Sequence, residues 1–138
     1  SMWPLIAPTI GALGAFIAGS NTISNMMFSL FQFEMAQSIG VTEHIVVSLQ
    51  AVGGAAGNMI CVHNVVAASA TVGLLGKEGS VIRKTLLPMA GYALFAGALG
   101  MVFLGGLGFN LGSIILAAIA IFIVWLIIQG SKSGSSGG

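Results

Sequence analysis

The densest group of chemically able side chains in this sequence consists of the hydroxyls and amides that follow Gly19. Serine, threonine and asparagine favour helix caps and turns over helix interiors, so the group predicts a polar turn between two apolar segments. Capping alone would explain some of its members. The number of polar side chains exceeds what capping needs, and we predict that they contact a substrate or a coupling ion. The members are Ser20, Asn21, Thr22, Ser24 and Asn25.

Three glycines and an asparagine form a second polar break in residues 53–58. A glycine inside a helix costs about 1 kcal/mol relative to alanine, so Gly53, Gly54 and Gly57 predict that a helix is interrupted here. Asn58 either caps the half-helix that follows or contacts a ligand. The backbone amides of Gly54 and Gly57 are further binding candidates, because a missing side chain lets a carboxylate approach the chain.

Three residues are candidates for coupling to protons. His63 and Asn64 follow the glycine break in apolar surroundings, where an ionisable residue is a functional hypothesis by default. An imidazole changes its charge near physiological pH, although a neutral His63 bonded to a neighbouring helix is the alternative. Glu34 is the one acid within an apolar segment, and its alternative is a carboxylate that reaches water at the membrane surface.

Composition excludes several classes of protein. Only 5% of the residues are charged and 57% are hydrophobic, whereas soluble domains carry about 25% charged residues, so we expect a membrane protein. The 4 basic residues cannot neutralise a nucleic-acid backbone. The single cysteine, Cys61, allows no intrachain disulfide and leaves a cysteine-based metal site short of ligands. No Ser/His/Asp set, His-rich helix or carboxylate pair has a useful spacing, so we expect neither a metal nor an enzymatic activity.

The lengths of the apolar segments predict an all-α membrane protein, because a helix needs about 20 residues to cross a bilayer. Residues 5–37 predict a re-entrant helical hairpin, with a single kinked helix as the alternative. Residues 43–75 are too long for one crossing and predict a discontinuous transmembrane helix. The halves of that helix are predicted at 43–52 and 59–75. Two complete transmembrane helices are predicted at 86–109 and 113–128.

The distribution of charge predicts how the chain is oriented. Residues 76–85 hold the main cluster of charged side chains and predict a loop in water, and an excess of Lys and Arg in a short loop favours the cytoplasmic side. The last two helices then cross the membrane outward and back, which makes the C-terminus cytoplasmic. Residues 130–138 are rich in Gly and Ser and predict a linker or tag remnant.

Both polar breaks lie at the ends of short helices. A helix N-terminus presents unpaired N–H groups and about half a positive charge, which attracts carboxylates and phosphates. If the two breaks meet near the middle of the membrane, they form an anion site. Interrupted helices of this kind indicate the substrate site of a secondary transporter.

Three segments resemble the C-terminal region of the L-lactate permease family. They are GSNTISNMMF at 19–28, GGAAGNMI at 53–60 and VGLLGKEG at 72–79. The resemblance covers about residues 3–95. The Ser-Asn-Thr triplet at 20–22 also resembles a motif of the wider ion-transporter superfamily, which includes dicarboxylate/sodium symporters whose transport domain pairs a hairpin with a broken helix.

The resemblance implies that residues 1–129 are the C-terminal part of a transporter's transmembrane domain. It implies secondary active symport of L-lactate, or of a related 2-hydroxy monocarboxylate such as glycolate, across the bacterial inner (plasma) membrane. Protons are the expected coupling ion, sodium is the alternative, and no cofactor is expected. The expected partners are the lipid bilayer and either the remaining part of the transporter or a homo-oligomer, without nucleic acid. The alternative is a fragment that transports nothing itself and assembles with a partner transporter chain.

Overall fold

The computed structural model describes residues 1–106 and 108–134, with side chains described as far as residue 130. All elements of this part of the chain are helices, and two are long and apolar enough to cross a membrane, or up to three if one bent pair counts as a single span. The prediction of an all-α membrane protein is therefore confirmed. In chain order the helices are α1 (Trp3–Ala18), α2 (Asn21–Ser38), α3 (Glu43–Gly57), α4 (Val62–Thr71), α5 (Glu78–Gly105) and α6 (Leu111–Gly134).

α1 and α2 form an antiparallel hairpin. The indole ring of Trp3, at the start of α1, lies edge-on to Phe31 near the end of α2, with 5.9 Å between the ring centroids. Gly14, near the end of α1, lies against Ser24 in the first turns of α2. The chain therefore reverses between the two helices, as predicted, and the alternative of a single kinked helix is wrong.

The connection between α1 and α2 is shorter than predicted. Gly19, with a φ of 75°, ends α1. Ser20 then caps α2, where its hydroxyl oxygen accepts a hydrogen bond from the Ile23 N–H at 3.4 Å. The prediction of a polar turn as far as Asn25 is wrong, because capping by Ser20 lets the helix begin at Asn21.

The discontinuous helix is present as α3 and α4, which are bent by 41° relative to each other at residues 58–61. Its predicted break at 53–58 is misplaced, because Gly53, Gly54 and Gly57 lie inside α3. A Cβ on Gly53 or Gly57 would collide with a carbonyl oxygen of α1, so these glycines let two helix backbones touch. That packing offsets the helix weakening that glycine causes in isolation. α3 and α4 replace the predicted halves at 43–52 and 59–75.

α5 starts earlier in the chain than the span predicted at 86–109, and it also ends earlier. Glu78 stands in its first turn, where a carboxylate is favourable at the positive end of the helix dipole. Arg83 and Lys84 therefore lie on a helix and not in the predicted loop at 76–85.

α6 is longer than the span predicted at 113–128, because it starts at Leu111 and continues through Gly134. Residues 130–134 of the predicted linker are thus helical, and residues 135–138 lie outside the described part of the chain. From Ile121 to Gly130 every side chain of α6 is exposed, which suits a helix that faces lipid.

Three polar side chains lie at the centre of the group formed by α1, α2 and α3. Ser24, Gln32 and Gln50 are each 0% exposed, and we call them the polar core. The apolar cluster of the same region is made of short side chains, which let the helices approach closely. Its buried members are Ala7, Ala36, Val46, Leu49 and Ala96.

We predict that Gly53→Ala destabilises the protein by about 1–3 kcal/mol, because the added methyl group would force α1 and α3 apart. Gly91→Ala is the matched control, since nothing lies within 4 Å of the position of its Cβ. Thermal unfolding of the purified protein in detergent, followed by circular dichroism, measures both variants. Equal melting temperatures would contradict the close packing of α1 on α3.

Candidate functional site

Two helix connections meet at the tip of the hairpin. Gly19, between α1 and α2, lies beside His63 in the first turn of α4, and a Cβ on Gly19 would be 2.9 Å from His63 Nδ1. The side-chain oxygen of Asn21 lies against Gly54 of α3. The start of α2, the last turns of α3 and the start of α4 are therefore neighbours. We call Gly19–Asn21, together with Gly54, Asn58 and His63, the helix-end site.

The helix-end site lies beside the first third of α5. The Thr85 hydroxyl is 3.0 Å from the Met59 carbonyl oxygen, to which it can donate, in the break between α3 and α4. At the other end of the hairpin, Leu5 lies against Gly97, much further along α5. The tip is thus nearer the charged start of α5 than its centre, whereas the sequence predicted a meeting point near the middle of the membrane. Thr85 was missed because the sequence placed it in a loop.

Helix ends of both signs meet at the site, because the C-termini of α1 and α3 lie beside the N-termini of α2 and α4. The N-termini of α2 and α4 both lie in it, neither helix has an acidic residue in its first turn, and α4 has no side-chain cap. The first N–H groups of α4 are therefore left without a capping side chain, and each N-terminus carries about half a positive charge. Two such ends side by side suit a small anion such as a carboxylate.

Three amide oxygens at or near the site are buried without a hydrogen-bond donor in the described part of the chain. They belong to Asn21, Asn25 and Asn58. A buried acceptor without a donor costs about 1–3 kcal/mol, so each of these oxygens lowers the stability of the folded chain. All three residues were predicted to contact the substrate.

The remaining predicted substrate contacts divide into two groups. Ser20 caps α2, and Thr22 is exposed in the first turn of that helix. Ser24 and Gly57 face the interior instead. The Ser24 hydroxyl donates to the Gly11 carbonyl at 2.8 Å, and Gly57 packs on the backbone of α1. Both are therefore behind the site and not on its surface.

The structure separates the three proton-coupling candidates. His63 is exposed in the helix-end site. Asn64 is next to it, and its side-chain N–H donates to the Asn58 carbonyl at 3.4 Å, which helps to hold the break. Glu34 is exposed thirteen residues beyond Asn21 on α2, which places it about 20 Å along the helix. Glu34 is thus remote from the other two.

The sequence analysis missed Gln32 and Gln50 of the polar core. Gln50 Nε2 donates to Ser24 Oγ at 3.1 Å, and Gln32 Nε2 donates to Gln50 Oε1 at 3.1 Å. The available signal was an uncharged amide inside an apolar segment, because such a group needs a partner once it is buried. The hydrogen bond between Gln50 and Ser24 lies one helical turn away from the contact between Asn21 and Gly54, on the same two helices.

Comparison with known proteins matches residues 1–107 to the L-lactate permease family. A Haemophilus influenzae protein, provisionally named an L-lactate permease, is 43% identical over 111 residues, which is 80% of this chain and 21% of that protein. The L-lactate permease of Escherichia coli K12 is 41% identical over 80 residues, 58% of this chain and 14% of that protein. The glycolate permease GlcA of the same strain is 34% identical over 101 residues, 73% of this chain and 18% of that protein. No solved structure matches the chain.

We predict that Gly19→Ala destabilises the protein more than Gly40→Ala does. Both glycines have a positive φ, 75° and 68°, so alanine at either position carries a similar backbone strain of about 1–2 kcal/mol. Only at Gly19 does the new methyl group also meet the His63 ring. Displacing that ring adds a cost of about 0.5–1.5 kcal/mol. Thermal unfolding in detergent measures the difference. An equal or larger loss for Gly40→Ala would contradict the contact between Gly19 and His63.

Proposed function

This chain belongs to the L-lactate permease family, and on that premise we propose that it forms part of the substrate site of a secondary transporter. The transporter takes up L-lactate, or a related 2-hydroxy monocarboxylate such as glycolate, across the bacterial inner membrane. The relatives named as lactate and glycolate permeases support this substrate class. The chain spans about a fifth of their length or less, so we assign the activity to the whole transporter and not to this chain alone.

The meeting of two helix N-termini beside Gly19 and His63 is the observation that carries the proposal. A monocarboxylate brings one negative charge, and the first N–H groups of α4 offer it hydrogen bonds and a positive potential. Asn21 and Asn58 add side-chain N–H donors for the carboxylate.

Protons are the proposed coupling ion. Among the residues of the helix-end site, His63 is the one side chain that can carry a coupled proton. A proton on His63 would strengthen carboxylate binding, and bound carboxylate would equally favour the proton, which is the reciprocal linkage that symport needs. Sodium is the alternative, because unpaired amide oxygens can also bind a cation.

We propose that the start of α5 faces the cytoplasm. Arg83 and Lys84 lie near that end, and basic residues concentrate on the cytoplasmic side of a membrane protein. α6 then returns the chain, so that its C-terminal end is also cytoplasmic. In this orientation the hairpin enters from the outside, and its tip at Gly19 is closer to the cytoplasmic face.

A second candidate function is assembly, in which this chain transports nothing until another chain covers it. α4 favours this function, because most of its side chains are exposed, including His63 and Asn64, and polar groups at membrane depth need protein or water around them. The cover would be the remaining part of the transporter or a second copy of this chain. Uptake of labelled L-lactate by vesicles that contain this chain alone would exclude a need for assembly with a different chain.

We predict that Asn21→Leu and Asn58→Leu each reduce the affinity for L-lactate about tenfold or more, because a hydrogen bond to a charged group contributes about 1.5–3 kcal/mol. Gln37→Leu is the matched control, since Gln37 is an exposed amide on the same helix as Asn21. The measurement is the concentration dependence of labelled L-lactate uptake in vesicles that carry the complete transporter. Unchanged uptake in both asparagine variants would refute the assignment of this site.

We predict that His63→Gln abolishes accumulation of L-lactate driven by a proton gradient but retains exchange of internal for external L-lactate, because exchange moves no net proton. His44→Gln, at an exposed histidine on α3, is the control and should behave as wild type. Vesicles with an imposed pH gradient, and vesicles preloaded with L-lactate, measure the two activities. Normal accumulation by His63→Gln would remove His63 from the coupling step. If uptake follows a sodium gradient instead, sodium and not the proton is the coupling ion.

A further inference from the structure

The polar core forms one continuous chain of hydrogen bonds through α1, α2 and α3. It begins at the Trp3 indole N–H, which donates to Gln32 Oε1 at 2.8 Å. Gln32 donates to Gln50, Gln50 donates to Ser24, and the Ser24 hydroxyl donates to the Gly11 carbonyl. Every link has the same direction of donation. Each amide nitrogen also donates to a carbonyl oxygen, Gln32 Nε2 to Ala7 at 3.4 Å and Gln50 Nε2 to Ser24 at 3.5 Å.

Stability alone is a weak reason for such a chain. Hydrogen bonds between membrane helices contribute about 0.6 kcal/mol each on average, and an apolar group of the same shape is often no worse. A fully satisfied network instead selects one arrangement of its helices over near alternatives. Ser24, Gln32 and Gln50 are 0% exposed and have partners, so they meet that condition.

The arrangement that this network selects includes the helix-end site. Gln50 and Gly54 are four residues apart on α3 and so lie on the same face of that helix, one turn apart. Ser24 and Asn21 are three residues apart on α2 and share a face in the same way. The hydrogen bond between Gln50 and Ser24 therefore lies one turn behind the contact between Gly54 and Asn21.

This hydrogen bond matters most for the position of α2. α1 and α3 are fixed to each other where glycines bring their backbones into contact, but α2 contains no glycine. Its rotation and its height at Asn21 therefore depend on side chains. A change of rotation at Ser24 would carry Asn21 and the first N–H groups of α2 away from Gly54 and His63.

We propose that Gln50 is a positioning residue for the substrate site. It touches no substrate, and it acts through Ser24 to hold Asn21 and the first turn of α2 in the geometry that binds the carboxylate. This inference rests on the proposed function, because it concerns the same site.

The first test is Gln50→Met in the complete transporter, since methionine has a similar length and makes no comparable hydrogen bonds. We expect the KM for L-lactate to rise about tenfold while the maximal rate per transporter molecule changes less, because small displacements of a binding group weaken productive binding. Gln37→Met is the matched control at an exposed glutamine of α2 and should leave KM unchanged. The amount of transporter in the membrane is measured for each variant.

The second test is Gln50→Glu, which separates positioning from a general loss of packing. An uncharged carboxyl group can accept from Gln32 and donate its O–H to Ser24, which restores both links, whereas a carboxylate cannot donate. Burial favours the uncharged carboxyl group. We therefore expect the KM of Gln50→Glu to lie close to the wild-type KM at low pH, whereas the KM of Gln50→Met stays raised at every pH.

The outcomes distinguish the inference from the function on which it rests. If wild-type transporter does not take up L-lactate or glycolate, the proposed function fails. If wild type transports and Gln50→Met has the wild-type KM, or the KM of Gln50→Glu stays raised at low pH, Gln50 does not position the site. If Gln50→Met fails to reach the membrane, the KM of Gln50→Glu at low pH decides the question alone.

Discussion

The backbone contact between α1 and α3 is the constraint on which the rest of the structure depends. Gly53 and Gly57 have no side chain, so the backbone of α3 rests on the Pro8 and Ala12 carbonyl oxygens of α1. This contact fixes the distance between the two helices and their relative height. Because α1 ends at Gly19 and α3 ends just before the break that leads to α4, the same contact brings Gly19 beside His63. The geometry of the helix-end site follows from the register of these two helices.

Two kinds of interaction determine how α1, α2 and α3 are arranged. Close packing of glycines sets how far apart α1 and α3 lie. The hydrogen bonds of the polar core have directions, and they determine which face α2 turns towards the other two. A polar core inside an apolar bundle is therefore consistent with a protein that must hold amide side chains at defined positions.

Local physical chemistry predicted the type of each element better than its ends. The apolar lengths gave helices, and the group from Ser20 to Asn25 gave the hairpin, although a single cap at Ser20 was enough to turn the chain. The glycine break was misplaced for a different reason. The preference of a residue for a helix is a local property, whereas the role of Gly53 depends on α1, which lies far away in the sequence. Asn21, Asn58 and His63 could be predicted because they are polar in apolar surroundings. Gln50 carries the same signal, but its partner Ser24 is 26 residues away, and only the fold shows that the two are bonded.

The helix-end site includes the main-chain N–H groups at the starts of α2 and α4. Every amino acid except proline carries such a group, so mutation of the surrounding side chains leaves these hydrogen-bond donors in place. The side chains are then free to diverge in size and hydrogen-bonding pattern. A scaffold of this design can change its side chains over evolutionary time without losing its main-chain donors.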